Sequence, residues 1–262
     1  MAKEKQRLDV ALFQRGLAPS REKARAMIMA AEVRVNGEMR DKPGTKVLIS
    51  DELSVKTKRR FVSRGGEKLA GALTDFNFDV SNRICADVGA STGGFTDCLL
   101  QNQVQRIYAI DVGYGQIDYA LRQNEHVIVM ERTNARYVES LPEPINLVVV
   151  DASFISLRLL LPVIKNWLAP KADIIMLIKP QFEAGKGDVG KGGVVRDSSI
   201  HSRVIFDVCK FATNIDFHVL GLTKSPLKGP AGNVEFLAWL GWGHDVNLTI
   251  DIDQHIKDVT AD

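Results

Sequence analysis

The chain has 262 residues, 45% hydrophobic and 25% charged, enough for one large core and one small one. No apolar stretch reaches membrane-span length and MAKEKQRLDV has no apolar signal region, so a membrane protein or secreted protein is not expected and the cytoplasm is. The net charge of +2 is uneven: residues 1–60 carry 15 Lys and Arg against 8 Asp and Glu (+7), and the remainder carries 19 against 24 (−5).

A basic head on an acidic body suits a polyanion-binding module joined to a second function. The competing reading is a solvated cationic face that binds nothing. Cys85, Cys98 and Cys209 lack CxxC spacing, so neither a disulfide framework nor a metal site is expected.

In chain order, Leu8, Ala11 and Leu12 share a helical face, and Gly16 closes that helix. Ser20 is an N-cap for a second helix over 21–31, whose first turns carry Arg21, Lys23 and Arg25. Cations there oppose the helix dipole but favour a bound phosphate. Val33-Arg34-Val35 alternates into an Asn36-Gly37 turn, and a strand follows over 52–56. The run RLDVALFQRGLAPSREKARAMIMAAEVRVNGEMRDKPGTKV resembles the S-four RNA-binding domain. That resemblance implies a small α+β module over 1–60 that reads RNA shape and phosphate, with Arg7, Arg21 and Arg25 as its phosphate contacts.

A basic connector near 57–63 leads to Arg64-Gly65-Gly66, which opens a helix carrying Lys68, Leu69, Ala72 and Leu73. The chain then alternates apolar strands with helices. Strands are expected at 84–88, 106–111, 127–130, 147–151 and 174–178, and a closing hairpin at 217–223 and 235–240. This order demands a mostly parallel sheet covered on both faces, in which ligands bind beyond the carboxyl ends of the strands. Asp87, Asp111, Asp151 and Lys179 fall at or near those ends.

Ala86-Asp-Val-Gly-Ala-Ser-Thr-Gly-Gly-Phe-Thr-Asp97 joins the first of these strands to a helix, and Asp111 stands where an acidic residue accepts ribose hydroxyls. The loop is not G-x-G-x-x-G, and Asp87 beside it disfavours a pyrophosphate but suits an ammonium. S-adenosyl-L-methionine therefore fits better than a dinucleotide. The expected cofactor contacts are Asp87, Gly89, Ser91, Thr92, Gly93, Gly94, Phe95, Asp111, Val112 and Asn134. The Gly-rich stretch 182–197 is read as a lid or RNA-gripping loop, with Lys186, Lys191 and Arg196 offered to phosphates alongside Arg64. Ser225, Lys228 and Gly232 are expected to shape the far wall.

DVGASTGGFTD, AIDVGYGQ, VVVDASFISL, LIKPQFEAGKGDVGKGGVVRD and GPAGNVEFL together resemble the TlyA, or hemolysin-A-like, family, whose body is similar to the FtsJ-type ribose methyltransferases. The resemblance implies an α/β, Rossmann-like methyltransferase domain over 61–262 with a mostly parallel seven-stranded sheet. It implies S-adenosylmethionine-dependent 2′-O-methylation of cytidine in ribosomal RNA, free or within ribosomal subunits. It also implies a catalytic Lys-Asp-Lys-Glu tetrad, at Lys68, Asp151, Lys179 and Glu235. A noncatalytic RNA-binding or lytic protein leaves those four charges without a use, and a nicotinamide oxidoreductase leaves Asp87 and the basic head unexplained.

Overall fold

The computed structural model describes residues 5–56 and 60–261. It divides into two compact units, Met1–Arg59 and Arg60–Asp262. Residues 57–59 of the expected connector lie outside the described residues.

The first unit runs β1 (Lys5–Arg7), α1 (Leu8–Gln14), α2 (Arg21–Met29), β2 (Val33–Val35), β3 (Glu38–Met39), β4 (Lys46–Leu48) and β5 (Leu53–Val55). Its core is small: Leu8, Ala11 and Leu12 of α1 meet Ala24 and Ile28 of α2 and Val33 and Val35 of β2. The Ser20 hydroxyl caps α2 by accepting from the Lys23 amide at 3.1 Å. Asn36 and Gly37 adopt φ of 50° and 82°, the two-residue turn that matches strand twist and joins β2 to β3. Arg15 holds the far turn by donating to the carbonyls of Leu48, Ile49 and Asp51.

The second unit begins with α3 (Gly65–Asp75). It continues through β6 (Ile84–Val88), α4 (Gly94–Gln101), β7 (Arg106–Ile110), α5 (Tyr119–Arg122), β8 (Val127–Met130), β9 (Ile145–Val150) and α6 (Leu157–Ile164). Then come β10 (Leu168–Ile178), α7 (Pro180–Glu183), α8 (Ser198–Asn214), β11 (His218–Lys224), β12 (Phe236–Trp242) and α9 (Ile252–Thr260).

The seven strands lie in the order β11-β12-β10-β9-β6-β7-β8. All pairings from β10 to β8 are parallel, and β12 is antiparallel to both its neighbours. Central strands with both faces covered read as unbroken apolar runs, as in Val148-Val149-Val150 and Ile174-Ile175-Met176. One core cluster lies under α6 and α8, and another under α3 and α4. Strand order reverses between β6 and β9, which opens a crevice at the carboxyl edge. Because β12 runs the other way, its starting end, not its finish, lies on that edge.

Candidate active site

Four loops meet the carboxyl edge around the β6–β9 crevice. The loop after β6 turns through Gly89 (φ 85°) and Ser91 (φ 50°). A Cβ on Gly89 would lie 2.8 Å from the Asp151 carbonyl oxygen, so no side chain fits there. At the end of β7, the Asp111 carboxylate accepts from the amides of Ser91 (2.8 Å) and Gly113 (2.7 Å), tying two loops together. Between them lies a cleft of about 660 Å³, lined by Gly89, Ser91, Asp111, Val112, Asn134 and Asp151, among others. Its size is that of a site for a nucleoside-bearing small molecule.

Other residues expected at this cleft are used elsewhere. Asp87 is fully buried within β6 and does not line the cleft. One of its oxygens accepts from the Thr96 hydroxyl at 2.6 Å, and the other has no hydrogen-bond partner. Burial pushes this carboxyl up to about 7, although the Thr96 bond opposes the rise. Gly93 and Gly94 serve helix packing. A Cβ on Gly93 would meet Leu121 at 2.2 Å, and one on Gly94 would meet the Ser63 hydroxyl at 2.2 Å. The Phe95 ring is buried against α3, and the Thr92 carbonyl accepts from the Asp118 amide.

The four charges of the expected tetrad form two ion pairs. Lys68 on α3 pairs with Glu235, and both are buried. Lys179, one residue beyond β10, sits 2.7 Å from the Asp151 carboxylate. It also donates to the Ser153 hydroxyl (2.9 Å) and the Asp151 carbonyl (3.3 Å). Sheet register explains the convergence. Ile178 of β10 pairs with Phe236 of β12, so the next step along the ladder sets Lys179 opposite Glu235. Lys179 and Glu235 line one cleft of about 430 Å³, together with Ser153, Phe154 and Gln181. Ser153 and Phe154 also line the larger cleft, so the two adjoin.

Ser153, Phe154, Asn233 and Glu183 were not singled out from sequence. Phe154 is 90% exposed, holds φ 63° and lies 4.9 Å from Phe182, centroid to centroid. Asn233 is buried and clamps the Gly-rich segment, accepting from the Val195 amide and donating to the Gly193 carbonyl, both at 2.9 Å. The buried Glu183 carboxylate accepts from the Ser156 hydroxyl (2.6 Å) and the Leu157 amide (2.7 Å). Burial raises its carboxyl above the usual range. Only the motif VVVDASFISL, with its polar residues just past a buried strand, hinted at Ser153.

The expected phosphate contacts divide. Arg7 and Arg21 both grip the buried Asp9 carboxylate, at 2.9 and 3.1 Å, and hold its pKa below the ordinary value despite burial. Arg25 is exposed. Arg64 donates to the Lys228 carbonyl at 2.9 Å, and Lys191 and Arg196 are exposed. The Lys186 side chain lies outside the described residues. Lys228 and Gly232 line a separate cleft with Arg196, and Ser225 turns back to accept from the Leu227 amide.

A model of FtsJ-like methyltransferases matches residues 61–242, and one of the S4 domain matches residues 6–53. A 16S/23S rRNA (cytidine-2′-O)-methyltransferase TlyA of Mycobacterium tuberculosis is 47% identical over 238 residues, 89% of each chain. The chain belongs to the TlyA family of FtsJ-like methyltransferases. Hemolysin A of Brachyspira hyodysenteriae is 40% identical over 235 residues, covering 88% of this chain and 98% of its own. A solved structure from Streptococcus thermophilus, which carries a hemolysin name, is 43% identical with a TM-score of 0.74, covering 99% of this chain and 95% of its own. Among the described residues, no helix is long and apolar enough to cross a membrane.

As a TlyA-family methyltransferase, the chain takes its methyl group from S-adenosylmethionine. The residues present fit that cofactor. Asp111 and Asn134 line a cleft of suitable volume, and Gly89 keeps its floor free of side chains. The seven-stranded, mostly parallel sheet is the methyltransferase architecture expected from sequence.

Proposed function

We propose that the chain methylates the 2′-hydroxyl of a cytidine in ribosomal RNA within the cytoplasm, using Lys68, Asp151, Lys179 and Glu235. The observation that carries this reading is the Lys179–Asp151 pair at the junction of two adjoining clefts. One cleft suits the cofactor, and the other suits the target nucleoside. When bound, S-adenosylmethionine supplies an activated methyl group. A ribose hydroxyl is a poor nucleophile, so the protein must align it and stabilise the charge that develops on its oxygen.

Lys179 has three oxygens around its nitrogen, the Asp151 carboxylate and carbonyl and the Ser153 hydroxyl. A 2′-oxygen entering the nucleoside cleft replaces the Ser153 hydroxyl as one of them. This oxygen would receive the methyl group of the cofactor, which would leave with the bonding pair as a neutral thioether. The hydroxyl becomes strongly acidic and its proton passes to the Asp151 carboxylate. Lys68 and Glu235 neutralise each other and fix the wall opposite Lys179. The exposed Phe154 ring beside Lys179 offers a stacking face for the cytosine.

Labelled methyl transfer to ribosomal RNA compares wild type with Lys179→Ala and Lys179→Arg. The alanine variant is expected to lose about 10²–10³-fold in rate, the cost of removing one such charge donor, with cofactor affinity unchanged. The arginine variant retains a cation and is expected to keep part of that rate. Equal rates for wild type and alanine variant reject the role of Lys179.

A further inference from the structure

We propose that the cleft walled by Arg196, Lys224 and Lys228 is a phosphodiester groove that holds the RNA strand flanking the methylated nucleotide. The proposal rests on the RNA methyltransferase reading and adds the course of the strand. The cleft measures about 410 Å³, and no carboxylate lines it. Several cations elsewhere on the body are paired with acids, as Arg83 is with Asp173 and Arg203 with Asp188. Arg196, Lys224 and Lys228 make no ion pair among the described residues. Three unpaired cations converge here on a body whose net charge is −5 over residues 61–262.

Their backbones are fixed in advance. Val195, next to Arg196, is held through its amide by Asn233 and through its carbonyl by the buried His201. The Lys228 carbonyl accepts from Arg64, and the Gly229 amide donates to the Asn233 carbonyl. Lys224 ends β11 opposite Phe236 of β12. Rigid placement lowers the ordering cost of a charged contact.

Position supplies the link to the reaction. β11 is parallel to β10, so Lys224 and Lys179 stand on the same sheet edge, two strand spacings or about 10 Å apart. The groove and the nucleoside cleft share Ala231, and Gly193 of one adjoins Val194 of the other. A strand whose target nucleoside sits against Lys179 and Glu235 therefore continues along the groove. An acidic protein segment would need no such continuity, so RNA is the occupant the geometry favours.

The test uses the full chain and a short labelled oligocytidylate, with affinity measured across a salt series. Losing two phosphate contacts in Lys224→Gln/Lys228→Gln is expected to weaken binding and to shrink the slope of log affinity against log salt by about 1.4. Melting temperature and cofactor affinity are expected to stay unchanged. Amine acetylation of wild type, read by mass spectrometry, is expected to show Lys224 and Lys228 protected by the oligonucleotide and the exposed Lys257 not protected. This arm needs no variant to fold. An unchanged salt slope, or no protection of either lysine, overturns the groove. Protection by an acidic peptide as strong as that by RNA also overturns it. Binding is read without methyl transfer, so the two readings separate. Wild type that methylates RNA while the variant keeps its slope rejects the groove alone. Wild type that methylates nothing while the slope still falls rejects the activity alone.

Discussion

Lys68 shows what a buried charge demands of its neighbours. Its partner Glu235 is 1% exposed, so removing the lysine strands a carboxylate out of water. Lys68→Ala is expected to cost about 3–5 kcal/mol of stability, visible as a fall in melting temperature. Replacing both partners, as Lys68→Met/Glu235→Leu, is expected to recover most of that loss without restoring methyl transfer. A double variant as active as wild type removes the pair from the mechanism. Asp87 carries a different signature. Its folded pKa of about 7 stands above the usual carboxylate value, so between about 4 and 7 the folded chain holds a proton that the unfolded chain has released. Stability from this residue is therefore greatest at low pH and is lost as pH rises through that window. Only the ionised form would pair with the ammonium of S-adenosylmethionine, the contact expected of Asp87 from sequence. Calorimetry is expected to show S-adenosylmethionine affinity rising as pH is raised through about 7, with Asp87→Asn binding more weakly and losing most of that dependence. A variant with the wild-type pH profile excludes Asp87 from the site.

The elements were far more legible than their contacts. Hydrophobic runs located every strand of the body, and β6 and β8 appear with the expected bounds, because strands buried on both faces write themselves as unbroken apolar sequence. β10 begins at Leu168, earlier than expected, since Leu168 pairs with Ile145 ahead of a register shift, and Pro170, Lys171 and Asp173 interrupt the apolar run there. Sequence spacing also set Asp151 and Lys179 at neighbouring strand ends. It carried no signal for which glycines of GASTGG face a ligand. Gly89 lines the cleft, whereas Gly93 and Gly94 let helices approach, a distinction made by Leu121 and Ser63 from other elements. Arg7 and Arg21 read as phosphate contacts, and only folding shows the buried Asp9 carboxylate held between them. The Gly-rich stretch 182–197 reads as a lid or RNA-gripping loop, and in the structure Asn233 holds it at two points and Gly190 bridges to Val194. Asn233→Ala leaves the Val195 amide without this partner at a cost of about 1–3 kcal/mol. Limited proteolysis is expected to cut the variant faster within this segment and methyl transfer to slow, with cofactor affinity retained. Unchanged cleavage indicates that other contacts hold the segment.

At the scale of the molecule, the charge asymmetry and the motifs describe one division of labour. The basic first unit contains a single small core, the S4-type fold and an exposed Arg25 suited to phosphate. The acidic second unit contains the large sheet, the clefts and the Lys68–Glu235 and Lys179–Asp151 pairs. An RNA substrate and a ribose target follow from the two families that the chain matches. The most direct test is nucleoside analysis of ribosomal RNA from unmodified subunits incubated with the protein and S-adenosylmethionine. The account predicts 2′-O-methylcytidine with wild type and its loss with Lys179→Ala. A base-methylated nucleoside, or no new methylated nucleoside, would contradict it.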